Sequence, residues 1–124
     1  YGECGGLMYL TNSITYGNKK SKMVGLFDVD TVMTKKMILN YTEGKINSSC
    51  LISPPRNFRG HEFHYSKINN IPKDAKFLYD LKIGDGITLH KDALTEYNVI
   101  ASYCHLYFDS GNFASKLIKN SLTI

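Results

Sequence analysis

With 124 residues and 43% hydrophobic content, the chain can bury one modest core and leaves no room for two independent domains. Its formal charge of +4, from 15 basic and 11 acidic residues spread along the sequence, argues against a nucleic-acid partner, and no apolar run approaches the ~20 residues a membrane span needs. Three cysteines at positions 4, 50 and 104 without CxxC spacing, and a start lacking the basic and apolar segments of a signal peptide, exclude a disulfide framework and point to a soluble, cytoplasmic protein with no membrane attachment.

Tyr1-Gly2-Glu3-Cys4-Gly5-Gly6 places a thiol among glycines just ahead of Leu7, Met8, Leu10 and Ile14, whose spacing predicts a helix opening at Gly5 or Gly6 and ending before Gly17. This is the composition of a nucleophile elbow. Small neighbours permit a sharp turn, the N–H after the nucleophile can bind an oxyanion, and a helix N-terminus favours a thiolate. A cysteine between glycines is equally a way of packing a small residue, so the motif alone does not decide. The chain opens at Tyr1, directly on this motif, and reads as cut from something longer.

Lys19, Lys20 and Lys22, with Gly17, Asn18 and Ser21 among them, read as a solvated loop. Short strands are expected over 23–27 and 37–41, separated by the polar stretch 28–36, followed by a loop over 48–57 that contains Pro54-Pro55. Three better strands are expected over 58–65, 76–83 and 97–108, with Gly84-Asp85-Gly86 ending the second. A closing amphipathic helix would carry Phe113, Ala114, Leu117, Ile118 and Leu122 on one face, with Ser110 as N-cap.

Cysteine catalysis needs a base, and the histidines are His61, His64, His90 and His105. His105 stands out because it lies near the end of the apolar run 99–108, and catalytic groups in α/β folds gather at the carboxyl ends of strands. Strand alternation would put Tyr103, His105 and Tyr107 on one face and Cys104 in the core. In Gly60-His61-Glu62-Phe63-His64-Tyr65-Ser66, two histidines and a carboxylate on one strand are costly to bury without partners, so this segment is a candidate to line a site. His61 shares a face with Phe63 and Tyr65, and Glu62 shares the other with His64. The two histidines therefore cannot chelate one ion from a regular strand, and no metal site is expected.

Together these segments resemble the cobyrinic acid a,c-diamide synthase family, whose glutaminase domains carry a Glu-Cys-Gly-Gly-Leu-Met-Tyr-Leu elbow, a Gly-His-Glu-Phe-His-Tyr-Ser strand and an Ala-Ser-Tyr-x-His-Leu-x-Phe strand. All three occur here in order, at 3–10, 60–66 and 101–108, and Met23-Val24-Gly25 with Met33-Thr34 is similar to the segment between the first two. The resemblance implies an α/β fold, the C-terminal portion of a class I glutamine amidotransferase-like three-layer open sheet, β-rich with few helices. It implies that residues 1–124 are a partial glutaminase domain, with Cys4 as nucleophile, His105 as base and the Gly5 N–H as an oxyanion donor. Glu62, His64 and Tyr107 are candidates to line the site. Glutamine would be the ammonia source, and the full enzyme would amidate the a and c carboxylates of a corrinoid substrate through an ATP-dependent synthetase domain. No GxxxxGK[ST] loop occurs in the chain, so ATP and magnesium would bind in that other domain and this chain would hold no cofactor.

The chain departs from the pattern in two ways. Many class I amidotransferases orient the catalytic histidine with a glutamate two residues on, where this chain has Tyr107, so a Cys-His dyad is expected, with Glu62 or a backbone carbonyl orienting the base. The strand feeding the elbow is missing, which would leave the isolated chain a poor glutaminase prone to self-association into a homo-oligomer. Competing readings are the same role on another tetrapyrrole, such as nickel sirohydrochlorin or hydrogenobyrinic acid, a catalytically silent interaction module, and a zinc-binding module, which the cysteine and histidine spacing disfavours.

Overall fold

The computed structural model describes residues 1–123. They form a mixed, nine-stranded sheet with few helices, in keeping with the β-rich α/β expectation. In chain order the elements are β1 (Gly2–Glu3), α1 (Gly5–Leu10), β2 (Ser13–Tyr16), β3 (Lys19–Lys22), β4 (Asp30–Ile46), β5 (Arg56–Asn69), β6 (Phe77–Ile83), β7 (Lys91–Glu96), β8 (Val99–Ser102), β9 (His105–Leu106), a 3-10 turn (Phe108–Ser110) and α2 (Phe113–Ser121). No helix among the described residues is long and apolar enough to cross a membrane.

The 17-residue β4 is the organising strand. One edge pairs antiparallel with β5 along most of its length; the other takes parallel β2 near its start and antiparallel β6 near its end. The order then continues β6-β7-β8-β1 on one side and β5-β9 on the other. Because β8 and β9 are separated only by Tyr103-Cys104, the sheet curls until its two arms share one chain segment. Inside the curl, Ile46, Phe58, Tyr79, Leu81, Ile100, Cys104, Leu106 and Phe113 form one buried cluster, while Leu7, Phe27, Val29, Ile68, Leu94 and Tyr103 form a second beneath α1.

Several boundaries differ from the sequence expectation. The first helix stops at Leu10 because the Thr11 hydroxyl donates to the Met8 carbonyl at 2.7 Å, and Ile14 belongs to a strand. The lysine cluster is not a loop but β3, an exposed hairpin partner of β2 that turns at Gly17, whose φ is +60°. Residues 23–27 are not a strand. Their N–H groups instead serve the carbonyls at the end of α1, Val24 on Tyr9 and Phe27 on Leu10, the acceptors a helix end leaves open. Polar residues 30–36 do not separate two strands but belong to β4, with a register shift between Met33 and Ile38. The expected strand over 97–108 is broken at Tyr103-Cys104, and β7 went unforeseen. Ser110 ends the 3-10 turn and Asn112 precedes α2, on which Ile118 and Leu122 are exposed, so the apolar face of that helix is narrower than its spacing implies.

Candidate functional site

Two residues of a strand precede the cysteine. Gly2 and Glu3 pair parallel with Ala101 and Ser102, and the Cys4 N–H extends the ladder by donating to the Ser102 carbonyl at 2.7 Å. At Cys4 the chain turns directly into α1 with φ +52° and ψ −103°, a left-handed conformation that a residue with a Cβ adopts at a cost of ~1–3 kcal/mol. Glycine at position 2 lets β1 lie against the helix, since a Cβ there would approach the Gly6 carbonyl carbon at 3.0 Å. A strained side chain on a strand-to-helix corner is the geometry expected of an elbow.

The Cys4 thiol is half-buried and donates to the Phe63 carbonyl of β5 at 3.4 Å. Burial pushes the thiol up, the Gly5 N–H facing it pulls the other way, and the negative charge of Glu3 adds to the rise. The resting side chain is therefore a protonated thiol that needs a base.

His105 opens β9, paired with His61 of β5, and their rings stack at 4.7 Å with an interplanar angle of 4°. Gly60 makes this docking possible, because a Cβ at that position would overlap the His105 carbonyl oxygen and stand 2.9 Å from the Cys104 sulfur. Backbone continuity brings the parts together. Ser102 holds the Cys4 N–H, His105 follows three residues later, and the thiol reaches the carbonyl of Phe63, two residues along β5 from the partner of His105. The turn between β8 and β9 is held from within by Asp92, a fully buried carboxylate that accepts the Tyr103 and Cys104 N–H groups at 3.0 and 2.8 Å.

The carboxylate beside His105 is Glu3. Its Oε1 lies 3.5 Å from His105 Nδ1, and its Oε2 accepts from the Leu106 N–H at 2.9 Å and the Tyr1 hydroxyl at 2.5 Å. Glu62 lies on the buried face of β5, where Oε1 is 3.2 Å from His64 Nε2 and Oε2 accepts the Asp85 and Gly86 N–H groups at 3.1 and 3.2 Å. His64 is buried as well, Nδ1 bonded to the Ser66 carbonyl and its ring stacked on Tyr103 at 3.6 Å. Tyr107 is exposed and, with Tyr41, Arg59, Gly60, His61 and Leu106, borders a hollow of about 400 Å³ on the outer face of β5 and β9. Cys104 is fully buried, its sulfur 2.9 Å from the Thr42 hydroxyl, but so is Tyr103, which therefore shares no face with exposed Tyr107: the break before β9 interrupts the expected alternation.

Sequence reasoning singled out the cysteine, the glycine after it, the histidine and the segment that carries His61, but assigned no role to Glu3 or Asp92. Glu3 was visible only as part of the elbow motif. Asp92 lies in a strand that periodicity did not reveal.

A family model for the CobB/CobQ-like glutamine amidotransferase domain matches residues 1–113. The chain belongs to this family. Among curated relatives, the cobyrinate a,c-diamide synthase of Methanosarcina barkeri is 38% identical in a match covering 96% of this chain and 27% of that protein. The proteins of the same name from Sulfurisphaera tokodaii and Methanocaldococcus jannaschii are 43% and 44% identical over 87% and 85% of this chain, and over 25% and 23% of their own lengths. The chain spans about a quarter of the length of the curated relatives it matches.

Proposed function

We propose that this chain is the glutaminase part of a cobyrinate a,c-diamide synthase, releasing ammonia from glutamine for amidation of the a and c carboxylates of a corrinoid. The observation that carries the reading is the strained Cys4 corner, with the Gly5 N–H at its sulfur and the His105–Glu3 pair on the adjoining segment. In this reading His105 takes the thiol proton as Cys4 sulfur attacks the glutamine side-chain amide carbon, and the Gly5 N–H stabilises the resulting oxyanion. The imidazolium returns the proton to the departing nitrogen, so ammonia leaves and a γ-glutamyl thioester remains. A water molecule, deprotonated by His105, attacks the thioester; glutamate departs and the thiol regains its proton.

The described residues hold no group of three or more histidine, cysteine, aspartate or glutamate side chains suited to a metal, and the sequence has no phosphate-binding loop. In this reading ATP and magnesium belong to the remaining part of the synthase, and no step is routed through them here.

The test uses the complete synthase to which this reading assigns the chain. Cys4→Ala is expected to lower glutamine-dependent amidation by roughly 10³-fold or more while leaving the ammonia-dependent reaction within about twofold, because free ammonia bypasses the thioester. His105→Ala should act in the same direction. A glutamine-analogue electrophile should label Cys4 ahead of Cys50 and Cys104. Normal glutamine-dependent turnover in Cys4→Ala sinks the assignment, and absence of selective labelling favours a silent module.

A further inference from the structure

We propose that Glu3, the residue immediately before the nucleophile, is the positioning residue that orients His105, so that the third member of the catalytic group comes from the elbow itself. This inference rests on the glutaminase reading above. An imidazole that takes a proton at one nitrogen works best when the other donates to a fixed acceptor, which sets both the tautomer and the ring angle. Two residues after His105, the position that commonly supplies such an acceptor holds Tyr107, which is exposed and whose N–H is spent on the Arg59 carbonyl. Glu62 is sealed against His64 and the 85–86 backbone. Glu3 stands at Nδ1 instead.

Its geometry favours that task. Oε2 is clamped by the Leu106 N–H and the Tyr1 hydroxyl, so the carboxylate is fixed in the frame of the strand that carries His105, and Oε1 is left for Nδ1. The 3.5 Å separation is long for a hydrogen bond, as catalytic contacts often are before substrate binds. On its other side the His105 ring is stacked flat against His61, which restricts its swing. With Nδ1–H given to Glu3, the lone pair of Nε2 is free to take the thiol proton.

Glu3→Gln in the complete synthase separates positioning from bracing, because the amide oxygen can still accept from Leu106 and Tyr1. The expected result is a glutamine-dependent kcat about 10- to 100-fold lower with KM for glutamine changed less than about threefold. Ammonia-dependent amidation should be unchanged. An unchanged kcat overturns the proposal. Should the variant fail to fold, nitrogen-15 NMR of histidine-labelled wild-type synthase decides: the Nδ1–H tautomer at His105 supports it and the Nε2–H tautomer overturns it. Cys4→Ala keeps the two readings apart, since retained glutamine turnover there defeats the glutaminase assignment, whereas the tautomer reports on Glu3 alone.

Discussion

Among the described residues two histidines pair with carboxylates, and the two pairs differ in enclosure more than in distance. His64–Glu62 spans 3.2 Å with side chains 3% and 0% exposed; His105–Glu3 spans 3.5 Å with side chains 31% and 23% exposed. Every polar atom of the first pair has a protein partner. The Ser66 carbonyl can only accept, so His64 Nδ1 donates to it, and Glu62 accepts two backbone N–H groups beyond the histidine. In the second pair His105 meets its carboxylate through Nδ1, and both side chains are partly open to solvent. A pair with all its bonds made can only hold the fold, whereas a partly open one on the segment next to the Cys4 corner is placed to move a proton. The strand motif at 60–66 serves both: its odd-numbered side chains border the outer face, and its even-numbered ones build the closed network.

The largest expected effect falls on the closed pair. His64→Ala leaves the buried Glu62 Oε1 without its hydrogen-bond partner and removes the ring stacked on Tyr103, so the loss in unfolding free energy should be about 3–5 kcal/mol by urea denaturation. The segment at 84–90 should loosen with it, because Glu62 holds the Asp85 and Gly86 N–H groups. A loss below about 1 kcal/mol would mean that the network is incidental to stability.

Asp92 sharpens the comparison, since it is a buried carboxylate with backbone donors but no cation. Burial raises it to about 6, against the pull of the N–H groups of Tyr103, Ala93 and Cys104. A folded value above the unfolded one of about 3.9 means that the folded protein binds the proton more tightly, so the associated stability is present below about pH 4 and lost as pH rises through about 6. Two pH units correspond to roughly 3 kcal/mol. Asp92→Asn cannot titrate. The unfolding free energy of the wild type, measured relative to Asp92→Asn by urea denaturation from pH 4 to 7.5, should therefore fall by about that amount. A difference flat across this range would show that Asp92 stays ionised throughout.

The sequence made the strand motif legible as a face-by-face pattern, and the elbow as glycine spacing around Cys4. It could not show that the run at 97–108 breaks at Tyr103-Cys104, because that break depends on Asp92, a side chain from another strand, taking two consecutive N–H groups. Nor could it reveal Glu3 as the neighbour of His105, since the two are 102 positions apart and meet only when β9 docks on β5 over Gly60. The long polar start of β4 was misread for the same reason. Its pairing with β5 is set by register along the whole strand, and local composition argued for a break.

The smallest stability effect is expected at the open pair, and it tests the distinction most sharply. Glu3→Gln keeps an oxygen for the Leu106 N–H and the Tyr1 hydroxyl and loses only a long, partly solvated contact to Nδ1, whose charge interaction water screens. Its unfolding free energy should lie within about 1 kcal/mol of wild type. The kinetic loss expected for the same variant, about 10- to 100-fold, corresponds to roughly 1.4–2.7 kcal/mol of barrier. Kinetic loss exceeding stability loss is the mark of a group that acts in the reaction; His64→Ala should show the reverse order. Paired urea denaturation and glutamine-dependent kinetics on the two variants read both quantities. If Glu3→Gln unfolded as readily as His64→Ala, both carboxylates would be braces, and the difference in enclosure would carry no functional meaning.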